Sequence, residues 1–374
     1  MAVGSLKRPN VLWAASLFLL FLIWFLWGLK ADFFPTSGEW YSSIKNGVGH
    51  VKTHFDNSTE EVYVTPDDGV NNENGNSSGT SNIQYSNDSS KTGERPLILY
   101  AYHETDNARR NFEFFIAHAL HDAADFIFVI NGETDAIHLL PERPNIKYIQ
   151  RGNDCYDMGA FAEVLVKDDL YRKYSRFITM NASIRGPFLP YWATGCWSDM
   201  FLSRVTDEVK LVGITMNCRP VPHVQSMIWA TDRAGIEVLL FPTETQVKRL
   251  KATVPKFSDG EPVPPLQHAG INWCPHEYWN ATSVEVHATP LIEAAGYKVD
   301  VMMAAFHKQA RFEDSCGDPD AAQDPLYDGK YFGTTLHPYD TIFAKANRGT
   351  NALTLAKLTQ WTDGRNYSSY EHCH

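Results

Sequence analysis

Three stretches of this chain, Leu97–Tyr102, Phe126–Ile130 and Phe177–Met180, are almost wholly apolar. A strand with one face in water alternates polar and apolar residues, and these do not. They predict central strands covered on both sides, as in a parallel sheet flanked by helices. The residues between them fit that scheme. Thr105 or Asp106 can cap a helix in which Phe112, Phe115, Ile116 and Ala119 recur at spacings of three and four. Asn131-Gly132 is a turn signal, Ile146–Ile149 reads as a shorter third strand, and a second helix runs from about Asp157 to Val166. Strands alternating with helices, joined by right-handed crossovers, predict an α/β domain: a Rossmann-type, mostly parallel sheet with helices on both faces.

The second half is more mixed. Pro187 to Arg204 reads as a short helix with Trp192 and Trp197, Lys210–Met216 as a strand, and His223–Asp232 as a strand leading into a turn. Glu244–Lys251 reads as a short basic helix and Pro255–Gln267 as a proline-rich loop. A late helix is expected to start with Thr289 as cap and Pro290 in its first turn, ending at Gly296. From Arg311 onward the chain reads as irregular and polar.

Before the domain, Val11 to Leu29 carries no charge. Its 19 residues span about 28 Å as a helix, near the hydrocarbon thickness of a bilayer. Lys7 and Arg8 precede it, so the positive-inside rule puts the N-terminus in the cytosol. The run exceeds the usual signal-peptide core of about 7 to 15 residues, and no small-x-small cleavage site follows. Expected, therefore, are a cytosolic tail (1–10), a transmembrane anchor (11–29), a flexible lumenal stem (30–94) rich in Asn, Ser, Gly, Asp and Thr, and a folded lumenal domain (95–374). This is the plan of a single-pass type II protein of the Golgi or ER membrane. Sequons at Asn57, Asn76, Asn87, Asn280 and Asn366 fit it, and six scattered cysteines with no C-x-x-C pair allow up to three disulfides. A net charge of −11 argues against a nucleic-acid binder.

No G-x-S-x-G, H-E-x-x-H, P-loop or G-x-G-x-x-G pattern follows the strands. His118 and His121, and the terminal Glu371–His374, read as ordinary core or surface residues rather than metal ligands. Polar residues instead gather after strands: Tyr102, His103 and Glu104 after the first, Asn153 and Asp157 after the third, Asn181 and Arg185 after the fourth. In a parallel sheet these ends converge on one crevice, where a nucleotide is expected. Two readings stay open for Asp157, which can also cap a helix, and for Arg185, whose fork suits a diphosphate or a structural ion pair.

The run Asn153-x-x-x-Asp157-x-Gly159-Ala160, with the strand Tyr174–Asn181 behind it, resembles the rhamnan synthesis protein F family and related eukaryotic glycosyltransferase-like proteins. The resemblance covers roughly Pro96 to Tyr297 and takes in Leu211–Gly213, His223–Met227 and Ala294–Tyr297. It implies a GT-A-like fold and sugar transfer from a nucleotide-sugar donor to a glycan or glycoconjugate acceptor. Such enzymes usually carry Asp-x-Asp where this chain has Met180-Asn181-Ala182. Either the enzyme is metal-independent, with Arg185 or another cation compensating the diphosphate, or Asp157 helps hold Mn²⁺ or Mg²⁺; the first is preferred. The resemblance also implies a late acidic base, for which Glu285 is the first choice and Asp232 another, with His223 and Gln225 on the acceptor side. The alternatives are a catalytically inactive carbohydrate-binding relative, which the missing Asp-x-Asp favours, and a membrane-anchored hydrolase, which lacks a visible nucleophile.

Overall fold

All six residues of β1 (Leu97–Tyr102) are buried, and alternate side chains enter two different cores. Leu97, Leu99 and Ala101 pack with Phe161, Leu239 and Leu291, while Ile98, Tyr100 and Tyr102 pack with Phe112, Phe115 and Trp197. A strand read by two helical layers has no polar side to show, which explains its unalternating sequence.

The computed structural model describes residues 95–374 except 259–260, 308–311, 319–320, 322 and 349–350. The expected tail, anchor and stem, with the sequons at Asn57, Asn76 and Asn87, lie outside the described residues. Among the described residues no helix is long and apolar enough to cross a membrane.

Seven strands form the central sheet: β1, β2 (Asp125–Asn131), β3 (Ile146–Arg151), β4 (Arg176–Asn181), β5 (Val209–Gly213), β6 (Ile228–Asp232) and β7 (Lys298–Val301). Their order is β7-β5-β6-β4-β1-β2-β3. Four pairings are parallel, and β6 runs antiparallel to both neighbours. One face carries α2 (Tyr156–Val166), α4 (Arg233–Leu240) and α6 (Tyr278–Ala294); the other carries α1 (Asp106–His118) and α3 (Trp197–Leu202). This mixed α/β arrangement fits the expected GT-A-like fold, with an antiparallel strand that the sequence pattern did not reveal.

Local expectations fare unevenly. Thr105 caps α1 by accepting from Ala108 N at 3.1 Å. Thr243 and Gln246 form a reciprocal capping box on α5 (Glu244–Thr253). The late helix α6 does not start at Thr289; it begins eleven residues earlier and holds Pro290 in its interior, before Gly296 turns the chain at φ +92°. Thr289 Oγ1 instead accepts the Val224 N–H at 2.9 Å. Trp192 is exposed in a loop outside α3, and the segment after Arg311, expected to be irregular, contains α7 (Ala352–Gly364).

All six cysteines pair, as Cys155–Cys274, Cys196–Cys373 and Cys218–Cys316. Each links residues 98 to 177 positions apart. Closing loops of that length in the unfolded chain contributes about 5 kcal/mol per bridge in the chain-entropy account.

Candidate active site

The winding of the sheet reverses between β1 and β4. From β1 the chain builds outward through β2 and β3, and everything from β4 onward builds the other way. The carboxyl ends of two such strands leave a crevice, the usual ligand position in open α/β sheets. Six segments deliver side chains there: the residues at the ends of β1 and β4, the start of α2, the loop entering β6, α6, and the short strand Ala344–Lys345.

The start of α2 is held in an unusual shape. Cys155 and Tyr156 have φ of 67° and 51°, left-handed values that cost non-glycine residues about 1–3 kcal/mol each. Several bonds hold them. Cys155 is tied to Cys274, Arg151 Nη1 donates to the carbonyls of Gly152 and Asp154 at 3.0 and 2.7 Å, and Asp154 Oδ1 lies 2.9 Å from His276 Nδ1. Gly159 lets the Cys274 loop approach: a Cβ there would stand 2.8 Å from both Cys155 Cβ and the Trp273 carbonyl oxygen. Gly159→Ala is therefore expected to lower stability by about 1–3 kcal/mol in urea unfolding, since the overpacking exceeds the roughly 0.5–1 kcal/mol that alanine returns within a helix. Unchanged stability would mean that the loop yields freely.

This geometry puts Asp157, a first-turn residue and not the cap, against the end of β4. Asn181 Nδ2 donates to Asp157 Oδ2 at 2.7 Å. Asn181 Oδ1 accepts the Ser183 N–H at 3.1 Å and also the Ser183 hydroxyl, whose oxygen in turn accepts from Lys345 Nζ at 2.7 Å. The chain Lys345–Ser183–Asn181–Asp157 is continuous. Lys345 reaches it because Ala344 and Lys345 pair antiparallel with Ile184 and Arg185. Burial pushes the Asp157 carboxyl above the usual carboxylate range, against the pull of Lys345. Burial likewise lowers the Lys345 ammonium, with Glu285, Asp157 and Asp324 opposing.

Glu285, on α6, faces the same place. Its Oε2 accepts the Ser226 N–H at 2.7 Å and the Ser226 hydroxyl, and its Oε1 lies 3.8 Å from His223 Nε2. His223 Nδ1 donates to the Val221 carbonyl at 2.8 Å. Gln225 takes a 2.8 Å bond from Thr215 Oγ1 and gives a 3.4 Å bond to Asp324. His223 and Gln225, expected on the acceptor side, are buried against Glu285 and Asp324. On the β1 side, His103 Nδ1 donates to the Asn131 carbonyl at 2.9 Å, and its Nε2 faces Asn153 Nδ2 at 3.4 Å.

Four of the expected site residues are engaged elsewhere. Tyr102 donates to Glu104 at 2.8 Å, and Glu104 is held by Arg109 at 2.7 Å, a network that fastens α1 to the loop after β2. Arg185 turns to Asn111 Oδ1 at 2.9 Å and Thr359 Oγ1 at 3.3 Å, bridging α1 and α7. Asp232 lies at the opposite edge of the sheet, opposite Arg176, because β6 is antiparallel; it caps α4 and pairs with Lys210 at 2.6 Å. Asn181 is buried with its amide on Asp157. Sequence reasoning missed Lys345, Ser226 and Asp324.

No tight cluster of ligating side chains surrounds Asp157 among the described residues. Hard cations take six or more oxygens, carboxylates prominent among them. Among the described residues two groups of three His, Cys, Asp or Glu atoms gather within 4.8 Å: His121 with Cys196 and Cys373, and Asp154 with Cys274 and His276. The sulfurs in both are spent in disulfides, and neither group contains Asp157, Glu285 or Asp324.

No protein-family model and no curated protein sequence matches the chain, so the resemblance to the rhamnan synthesis protein F family gains no support from them. Among solved structures, the chain is similar to the apo-form glycosyltransferase GlyE of Streptococcus pneumoniae TIGR4, at 10% identity and TM-score 0.25, over 37% of this chain and 34% of that one. It spans about a third of GlyE. It is also similar to a protein assigned as a nucleotide-diphospho-sugar transferase from Desulfovibrio desulfuricans G20, at 10% identity and TM-score 0.30, over 62% and 96% of the two chains. A third is a cytidylyltransferase from Leptospira borgpetersenii serovar Hardjo-bovis (strain JB197), at 8% identity and TM-score 0.25, over 44% and 66%. Likenesses this remote carry no argument about activity.

Proposed function

We propose that the domain transfers a sugar from a nucleotide-sugar donor to the hydroxyl of a glycan or glycoconjugate. The observation that carries this reading is the convergence of Asp157, Asn181, Ser183, Lys345 and Glu285 at the switch point between β1 and β4. His103, Asn153, Asp157 and Asn181 face the donor. Glu285 takes the proton of the acceptor hydroxyl while the acceptor oxygen bonds to the anomeric carbon. As that bond forms, the bond from the same carbon to the diphosphate oxygen breaks, its electron pair staying on the diphosphate oxygen. The same reading puts the domain in the oxidising lumen of the secretory pathway behind a membrane anchor, supported by the three disulfides and the uncharged run 11–29.

The purified full-length chain, given a panel of nucleotide sugars with glycan acceptors, is expected to release nucleotide from at least one donor in an acceptor-dependent way. Glu285→Gln should cut turnover by about 10²- to 10⁴-fold while donor binding persists. Absence of a melting shift with every donor would sink the transferase reading. A donor shift with no release, acceptors being present, would identify a non-catalytic sugar-nucleotide binder.

A further inference from the structure

The departing diphosphate of a nucleotide sugar carries negative charge that a site must meet with fixed positive charge. The place where related folds are expected to hold a metal offers neutral Asn181 bonded to Asp157, with no tight group of three ligating side chains around them among the described residues. It does offer a nitrogen cation. Lys345 Nζ is bonded to Ser183 Oγ at 2.7 Å, one link from Asn181 and two from Asp157. Its backbone is locked to Ile184, so the ammonium is placed by sheet pairing rather than by a loop. Glu285, Asp157 and Asp324 lie within electrostatic reach and oppose the lowering that burial imposes on it, and Arg348 adds a second, exposed cation whose Nη1 donates to Tyr327 Oη at 2.9 Å. Arg185, the cation favoured from sequence, is turned away to Asn111 and Thr359.

We infer that Lys345, assisted by Arg348, is the built-in cation that binds the donor's diphosphate and does there what a divalent ion would do. This rests on the nucleotide-sugar reading of the same site. Lysine suits the task as a compact point charge. Ser183 Oγ accepts from its ammonium.

The test is binding of UDP, GDP, CDP and dTDP, with the matching nucleoside monophosphates as controls, to the purified full-length chain in EDTA and in Mn²⁺. At least one diphosphate is expected to bind equally well in both buffers. Lys345→Met should weaken that diphosphate by about 10- to 100-fold, the scale of a lost charged hydrogen bond, with a smaller effect on the monophosphate. Lys345→Arg should recover much of the loss. Arg348→Gln, a change on an exposed side chain, should weaken the diphosphate about threefold and decides the matter if Lys345→Met fails to fold. Binding abolished by EDTA and restored by Mn²⁺ overturns the inference, and so do lysine and arginine variants that bind as wild type does. Metal-free binding that depends on Lys345, with no nucleotide sugar turned over, upholds the cation site while the transferase reading falls. If no diphosphate binds in either buffer, both fall.

Discussion

Asp157→Asn is expected to lower nucleotide-sugar affinity by about 10- to 100-fold, the scale of a lost hydrogen bond to a charged group, while leaving the fold intact. The replacement keeps an oxygen for Asn181 Nδ2 and nearly the same volume, so α2 stays tied to β4. What disappears is a negative charge near Lys345, Glu285 and His103. Stability should respond to pH in a definite direction. Burial raises the Asp157 carboxyl above its usual 3.8, so the folded state holds the proton more tightly than the unfolded one. Its favourable contribution is complete below the unfolded value and is lost as pH rises from there through the folded value. Asparagine has no such loss. The stability of the variant relative to wild type should therefore grow as pH rises above about 4. Melting curves from pH 3 to 8, alongside donor titrations, read both effects. A variant matching wild type in both would leave Asp157 as a structural tie and nothing more.

The parallel half of the sheet was legible because burial on both faces leaves a direct mark on sequence: β1, β2 and β4 have almost no polar residue to turn outward. The direction of β6 leaves no such mark. A strand buried on both faces reads the same either way, and this is why Asp232 was grouped with residues at the other end of the sheet. The start of α6 was hidden for a related reason. Buried residues lie all around its second half, from Ser283 to Ala294, so no apolar stripe announced it, and Pro290 looked like a beginning.

The site divides along similar lines. Asp157, Asn181, His103 and Asn153 follow strands whose ends a parallel sheet brings together, and position alone pointed to them. Glu285 was reached through the family resemblance, and the geometry does place it against Ser226 and His223. Lys345 left no signal. It arrives through a two-residue strand that pairs with Ile184 and Arg185, far away in sequence and too short for any periodicity, inside a stretch whose composition reads as loop. Of the two readings open for Arg185, the bonds to Asn111 and Thr359 favour the structural one, and strand-end position says nothing about which helix a long side chain will reach.

Acidification is expected to destabilise the domain through His121. The ring is fully buried between Phe126 and Trp197, its Nε2 lies 3.3 Å from Ser198 Oγ, and its Nδ1 has no partner among the described residues. Burial first, and the charge of Arg95 second, push its pKa down to about 3. The neighbouring Cys196–Cys373 bridge offers no charge to offset a proton. In the unfolded chain the histidine titrates near 6.5, so the unfolded state takes up a proton that the folded state refuses. Stability is full above the unfolded value and falls as pH drops through it, by about 1.4 kcal/mol per unit until the folded pKa is approached. Between pH 6.5 and 4.5 this single group accounts for about 2–3 kcal/mol. His121→Phe removes the titration and the unpartnered nitrogen together. Urea unfolding of both proteins at pH 7.0 and 4.5 should show wild type losing about 2–3 kcal/mol more than the variant, whatever packing cost the phenyl ring adds, since that cost is common to both pH values. Equal losses would mean that the acid response comes from other groups, such as His287, whose pKa burial also lowers and which faces Ser283 and His223.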